Sequence, residues 1–181
     1  MTAAAILADA NPATFPTDLL PGIDSALALF GAGFLGRNDV VHLWAAGVPN
    51  VVVVDTDEGK IEEMARLYER PAWTWLVDDA YKVALEWGDG PLVDLVVVDP
   101  WTGGIAKALN SLELWLRLAH RFLVIGVCRD WFDAYHVAPT LDGFNKWLAR
   151  QYWRGAAPPP ASRLVPRSDY RGGTFWLIFE V

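Results

Sequence analysis

Ala26-Leu27-Ala28-Leu29-Phe30-Gly31-Ala32-Gly33-Phe34-Leu35-Gly36 is an apolar run that passes directly into glycines spaced G-x-G-x-x-G. An unbroken apolar run fits a strand buried on both faces, as in a parallel sheet covered by helices. The glycines predict a tight turn into a helix, where missing Cβ atoms let a nucleotide approach the backbone and the helix N-terminus. Asp55 follows about twenty residues on, at the end of the next apolar run, where a carboxylate accepts hydrogen bonds from both ribose hydroxyls. A strand-to-helix turn also uses glycine for packing alone. The strand before the motif, the helix after it and the acid at the second strand's end favour the nucleotide reading.

Outward from this stretch, apolar runs and helical periods alternate. Val51–Val54, Leu92–Val98 and Phe122–Val127 read as further buried strands, with Trp73–Val77 a weaker one. Asp57 is a good N-cap for a helix whose buried stripe is Ile61, Met64, Ala65 and Tyr68. Ile105, Leu109, Leu112, Leu116 and Ala119 predict one longer helix. Val40, Val41 and Trp44 mark another, ended by Gly47 as a left-handed cap. Strand alternating with helix predicts successive right-handed βαβ units and an open α/β sheet.

Both ends depart from the alternation. Residues 1–24 carry Asn11-Pro12, Pro16 and Pro21-Gly22 and read as an irregular lead-in to a domain spanning 25–181. After a helix around Phe144–Tyr152, Pro158-Pro159-Pro160 forces an extended break. Ser162–Arg167 and Thr174–Val181 then read as two strands of an antiparallel hairpin at the sheet edge. The fold expected is a seven-stranded, mostly parallel sheet with helices on both faces and a C-terminal antiparallel hairpin.

Ligands of open α/β sheets bind outside the carboxyl ends of the strands. Gly31, Asp55, Asp79 (beside Asp78) and Asp99 each fall at such an end, so four strands present functional groups along one rim. Taken singly, each acid is as well explained as a solvated loop carboxylate or a helix cap.

The run Val51-Val52-Val53-Val54-Asp55-Thr56-Asp57 with Ile61-Glu62-Glu63-Met64-Ala65, then Val77-Asp78-Asp79-Ala80, then Asp94–Pro100, resembles class I SAM-dependent methyltransferases, from Ala26 to Val181. The resemblance implies S-adenosylmethionine (SAM) as cofactor, held at Gly31, Ala32, Gly33, Gly36, Asp55, Thr56, Asp78, Asp79 and Ala80. In that family the glycine loop holds the methionine part, the position of Asp55 binds ribose and that of Asp79 contacts the adenine amino group. The family's sheet also inserts an antiparallel strand between two parallel ones, whereas the nicotinamide-binding sheet continues in parallel. One departure is Leu29, where the family usually has an acid. Asp99-Pro100-Trp101-Thr102 is similar, imperfectly, to the Asp-Pro-Pro-Tyr motif of amino-group methyltransferases, which implies Asp99, Pro100 and Trp101 as the catalytic set.

Composition narrows the partners. A chain of 181 residues with 53% hydrophobic and 20% charged residues has the balance of one globular domain. The net charge of −7 argues against non-specific nucleic-acid binding, which needs a basic surface, so nucleic acid is not the favoured acceptor. Cys128, the lone cysteine, excludes an internal disulfide and reads as a core thiol. His42, His120 and His136 lack metal-ligand spacing, so no metal is expected. Of the three, His136 is the candidate base. Trp131, Phe132, Tyr135, Phe144, Trp147 and Trp153 crowd the segment after the fifth strand and read mostly as packing. No secretory signal or membrane-length apolar stretch is visible, and a cytoplasmic location is the expectation. Three activities stay open: a SAM-dependent methyltransferase of unassigned acceptor, an NAD(P)-dependent oxidoreductase, and a methyltransferase-fold binding or assembly protein without catalysis.

Overall fold

The computed structural model describes residues 2, 4–5, 15–33, 39–87, 90, 92–152, 158–167 and 173–181. Strands β1 (Ser25–Leu29), β2 (Asn50–Asp55), β3 (Thr74–Val77), β4 (Val93–Val98) and β5 (Ala119–Cys128) pair in parallel. With β6 (Arg163–Arg167) and β7 (Thr174–Glu180) they form one seven-stranded sheet, ordered β3-β2-β1-β4-β5-β7-β6. The chain winds outward from β1 to β3, then returns to place β4 on the other side of β1. Leu29 of β1 pairs with Val98 of β4 at this reversal, so the Gly31 turn and Asp99 emerge side by side.

The apolar runs have the composition they do because both faces of each strand are covered. Leu27, Leu29, Val96, Val98, Leu123 and Ile125 enter one core; Ala26, Ala28, Val51, Val53, Leu95 and Val97 enter the other. Helices α1 (Val40–Ala46) and α2 (Glu58–Leu67) close the second core, together with Phe15 and Leu19 of the lead-in. Helices α3 (Ala80–Trp87), α4 (Ile105–Asn110), α5 (Leu112–Leu116), α6 (Arg129–Ala134) and α7 (Leu141–Gln151) close the first. The ends of α1 and α2 follow the sequence signals. Gly47 takes φ 77° and its N–H donates to the carbonyls of Leu43 and Trp44, and Asp57 caps α2 by accepting from Lys60 N–H at 3.1 Å.

The C-terminal pair behaves as the methyltransferase resemblance implies. β7 runs antiparallel to both β5 and β6 and lies between them. Such an insertion is what separates this sheet from the nicotinamide-binding one. The connection at residues 168–172 lies outside the described residues.

One helix expectation is corrected. The longer helix through Ile105, Leu109, Leu112, Leu116 and Ala119 is two helices, broken at Ser111 (φ −103°, ψ 21°), and Ala119 already belongs to β5. The break turns Trp115 into the first core, where its indole N–H donates to the Ala108 carbonyl at 2.9 Å. Periodicity cannot register a one-residue interruption that preserves the apolar stripe. Helices α3 and α6 carried too short a period to be assigned from sequence.

Candidate active site

The carboxyl ends of the parallel strands open onto a cavity of about 610 Å³. Gly33, Asp55, Thr56, Asp78, Asp79, Ala80, Asp99, Pro100 and Trp101 all line it. Gly31 and Ala32 are buried in the turn beneath it, and Gly36 lies outside the described residues.

The two described glycines of the loop serve different ends. A Cβ on Gly31 would come 2.8 Å from Val53 Cγ1, so this glycine answers to strand packing. Among the described residues nothing lies within 4 Å of the position a Cβ would take on Gly33, which lines the cavity. Phe30 just before them holds φ 62°, a left-handed conformation that is uncommon outside glycine and turns the chain sharply off β1.

Asp55 ties the rim together. Its Oδ2 accepts from Ala32 N–H and its Oδ1 from Asp57 N–H, each at 3.1 Å. A carboxylate offers about four acceptor sites, so both oxygens retain capacity for a ligand. Asp79 Oδ1 accepts from Tyr81 N–H at 2.9 Å and Lys82 N–H at 3.0 Å, which caps α3. Asp78 pairs with Lys82 at 2.6 Å, and this hydrogen bond holds its carboxyl below the usual carboxylate range.

Asp99 is engaged from an unexpected direction. Arg167, on edge strand β6, donates to both its oxygens at 2.9 and 3.3 Å. To reach it, the guanidinium crosses β7 and β5, lying 4.1 Å from the ring centroid of Trp176. It also passes over Gly126, where a Cβ would collide with the Asp99 carboxylate and approach Arg167 Nη1 to 3.2 Å. The pair is largely shielded, with side-chain exposures of 4% for Arg167 and 15% for Asp99. Behind it lies Asp39, the cap of α1, whose Oδ1 accepts from Val40 N–H at 2.7 Å. Burial, and then the nearby Asp99 charge, push the Asp39 carboxyl well above its usual range. Among the described residues its Oδ2 and Arg167 Nε are buried without a hydrogen-bond partner.

Sequence reasoning missed Asp39, Gly126 and Arg167. An N-cap signal was present at Asp39, ahead of the apolar Val40-Val41, but nothing in it indicates burial. No local pattern links Arg167 to Asp99, 68 residues away. One further expectation is extended and one changes. Cys128 is half-buried: it packs against the first core as expected and also lines the cavity, because β5 runs on to the rim. His136 is exposed at φ 52° and is not part of the cavity lining. The described members of the aromatic cluster pack on one another, with Trp131 within 4.9–6.2 Å of Phe132, Tyr135, Phe144 and Trp147, and do not reach the cavity. Leu29 is fully buried in the first core. Among the described residues no helix is long and apolar enough to cross a membrane, and no cluster of three metal-ligating side chains occurs.

No protein-family model and no curated protein sequence matches the chain. Solved structures do. The N-methyltransferase NodS from Bradyrhizobium japonicum superposes with a TM-score of 0.58 at 16% identity, over 91% of this chain and 92% of its own. An rRNA methylase from Streptococcus thermophilus gives 0.56 at 15% identity, over 91% and 92%. Fibrillarin, solved in complex with Nop5p, gives 0.58 at 20% identity, over 91% and 79%. The chain has the class I SAM-dependent methyltransferase fold.

Proposed function

We propose that the protein is a SAM-dependent methyltransferase. The observation that carries this reading is the cavity at the β1–β4 reversal, walled by Gly33 and the carboxylate of Asp55. Its volume lies within the roughly 300–1,000 Å³ usual for cofactor sites. SAM supplies a methyl carbon already activated by a positive sulfur, and acidic walls complement that charge.

The chain's own residues divide the work. Asp55 accepts from the ribose hydroxyls while keeping its two backbone donors. Asp79 gives Oδ1 to α3 and presents Oδ2 to the adenine amino group. Gly33 admits the methionine part beside the loop. Asp99, set in orientation by Arg167, accepts a hydrogen bond from the acceptor, with Pro100 and Trp101 forming the mouth. Positioning of this kind supplies roughly 7–11 kcal/mol of barrier reduction without an acid–base residue.

The sheet argues against the oxidoreductase, because β7 is inserted antiparallel where a nicotinamide-binding sheet runs parallel. The closed Asp99–Arg167 pair favours, as a second reading, a binding protein without catalysis. Calorimetry decides among them. S-adenosylhomocysteine should bind and raise the melting temperature, and NADH should do neither. Asp55→Ala should weaken S-adenosylhomocysteine about tenfold or more, since charge-assisted hydrogen bonds contribute about 1.5–3 kcal/mol. Binding of NADH alone would select the oxidoreductase. Tight S-adenosylhomocysteine binding with no methyl transfer to amines, nucleic acid or protein would select the non-catalytic reading.

A further inference from the structure

The two ends of the cavity differ in chemistry. Asp55, Asp57, Lys60, Asp78 and Asp79 line it at and after the ends of β2 and β3. Beyond β4 the described lining is Gly126, Val127, Cys128, Arg167 and Thr174. Thr174 begins β7, four strand spacings from Asp55 in the order β2-β1-β4-β5-β7, or roughly 19 Å. Among the described residues the charge at this end belongs to Arg167, and it is already matched, because Asp99 takes both Nη1 and Nη2. A molecule entering here meets no uncompensated charge among them.

It does meet polar groups that the fold leaves unused. Arg167 Nε and Thr174 Oγ1 are buried without a hydrogen-bond partner among the described residues. They belong to neighbours: Arg167 and Thr174 are paired in the β6–β7 register, and paired side chains stand about 4.5–5.5 Å apart at Cβ. Buried polar groups are nearly always matched. Two adjacent unmatched ones on a single cavity wall mark a place where a ligand completes the bonding. Thr174 lines the cavity while its hydroxyl is turned inward. Rotation to another staggered position exchanges the hydroxyl with the methyl group, brings it to the cavity and breaks no hydrogen bond. The guanidinium Nε–H only donates and the hydroxyl can donate, so what satisfies this wall is a lone pair.

We propose that the β5–β7 end of the cavity is a recognition subsite for a neutral carbonyl oxygen on the methyl acceptor, bound by the Thr174 hydroxyl beside Arg167. As a statement about the acceptor this rests on the methyl-transfer reading; as a statement about what the cavity binds it does not. The charge of the wall selects the class. A carboxylate would bring a second anion to a guanidinium already committed to Asp99, in a shielded place where unmatched charge is costly. An ammonium has no lone pair to offer. The carbonyl of a ketone, ester or amide has the lone pair without the charge, and Gly126, Val127 and Cys128 give its carbon frame an uncharged wall. The carbonyl serves as a handle, and no bond to it forms or breaks.

The test is ligand-detected NMR titration with three molecules of similar shape: acetophenone, benzoate and 1-phenylethylamine, each with and without saturating S-adenosylhomocysteine. Acetophenone should bind at millimolar concentration, and the anion and the cation at least about tenfold more weakly. Acetophenone and S-adenosylhomocysteine should bind together. Thr174→Val keeps the branched shape without the hydroxyl and should weaken acetophenone about fivefold, with Thr174→Ser recovering most of the loss. The valine variant should melt no lower than the unmodified chain, since the hydroxyl it loses is unmatched. Benzoate or amine binding as tightly as acetophenone, no acetophenone binding at millimolar concentration, or its displacement by S-adenosylhomocysteine would overturn the proposal. So would unchanged acetophenone affinity, or a lower melting temperature, in Thr174→Val. Carbonyl selectivity without S-adenosylhomocysteine binding would keep the subsite and remove the methyl-transfer reading. S-adenosylhomocysteine binding without carbonyl selectivity would do the reverse.

Discussion

At the scale of single residues, Gly126 controls how Asp99 is held. β5 passes directly beneath the Asp99–Arg167 pair, and a Cβ at Gly126 would occupy the place of the carboxylate. Replacing a strand glycine by alanine ordinarily gains roughly 0.5–1 kcal/mol from chain entropy. Overpacking typically costs about 1–3 kcal/mol, and displacing one member of a shielded ion pair adds to that. Gly126→Ala should therefore lower stability by about 1–2 kcal/mol, read from urea unfolding. A more stable variant would show that the pair swings aside freely and that Arg167 does not fix Asp99. Glycine at position 126 was visible in the sequence, inside an apolar run. Its reason was not, because the atoms it makes room for come from β4 and β6.

At the scale of elements, α3 shows one side chain serving structure and site together. Asp79 caps it through Oδ1, and losing such a cap costs about 1 kcal/mol. Asp79→Ala should accordingly lower the melting temperature of the ligand-free protein. Asp79→Asn, also a good cap, should not. The asparagine should nonetheless weaken S-adenosylhomocysteine, since it turns an amide N–H toward the adenine amino group. Unchanged affinity in Asp79→Asn would leave the residue as a cap only. Elements were legible where the signal is local and long enough: β1, β2, β4 and β5 as apolar runs, α2 as a capped periodic stripe. The break at Ser111 was not, because α4 and α5 share one apolar stripe and only Trp115, packed against Ala108, requires the turn between them.

At the scale of the whole molecule, Asp39 makes stability depend on pH. Burial and the Asp99 charge raise its carboxyl in the folded state, while the unfolded chain ionises it near 3.8. The native state thus holds a proton that the unfolded state releases. This residue's contribution is neutral below 3.8 and grows more destabilising as pH rises towards the folded value. Asp39→Asn keeps an oxygen to cap α1 and cannot ionise. Its melting temperature should exceed that of the unmodified chain at pH 8, with the gap closing towards pH 4. A gap that stays constant with pH would show that Asp39 does not carry this linkage.

The sequence by itself determined the parallel half of the sheet, the glycine turn and the row of acids at one rim. Strands buried on both faces read as continuous apolar runs, and a βα turn is written in adjacent residues. It also foreshadowed the antiparallel pair, since Pro158-Pro159-Pro160 and Gly173 break the βα rhythm. Only the tertiary structure decided what the acids do. Asp39, Asp99, Gly126 and Arg167 come from α1 and from the ends of β4, β5 and β6, and no spacing along the chain records their meeting. Side-chain reach across a folded sheet depends on strand order, and strand order is set by packing rather than by any local pattern of residues.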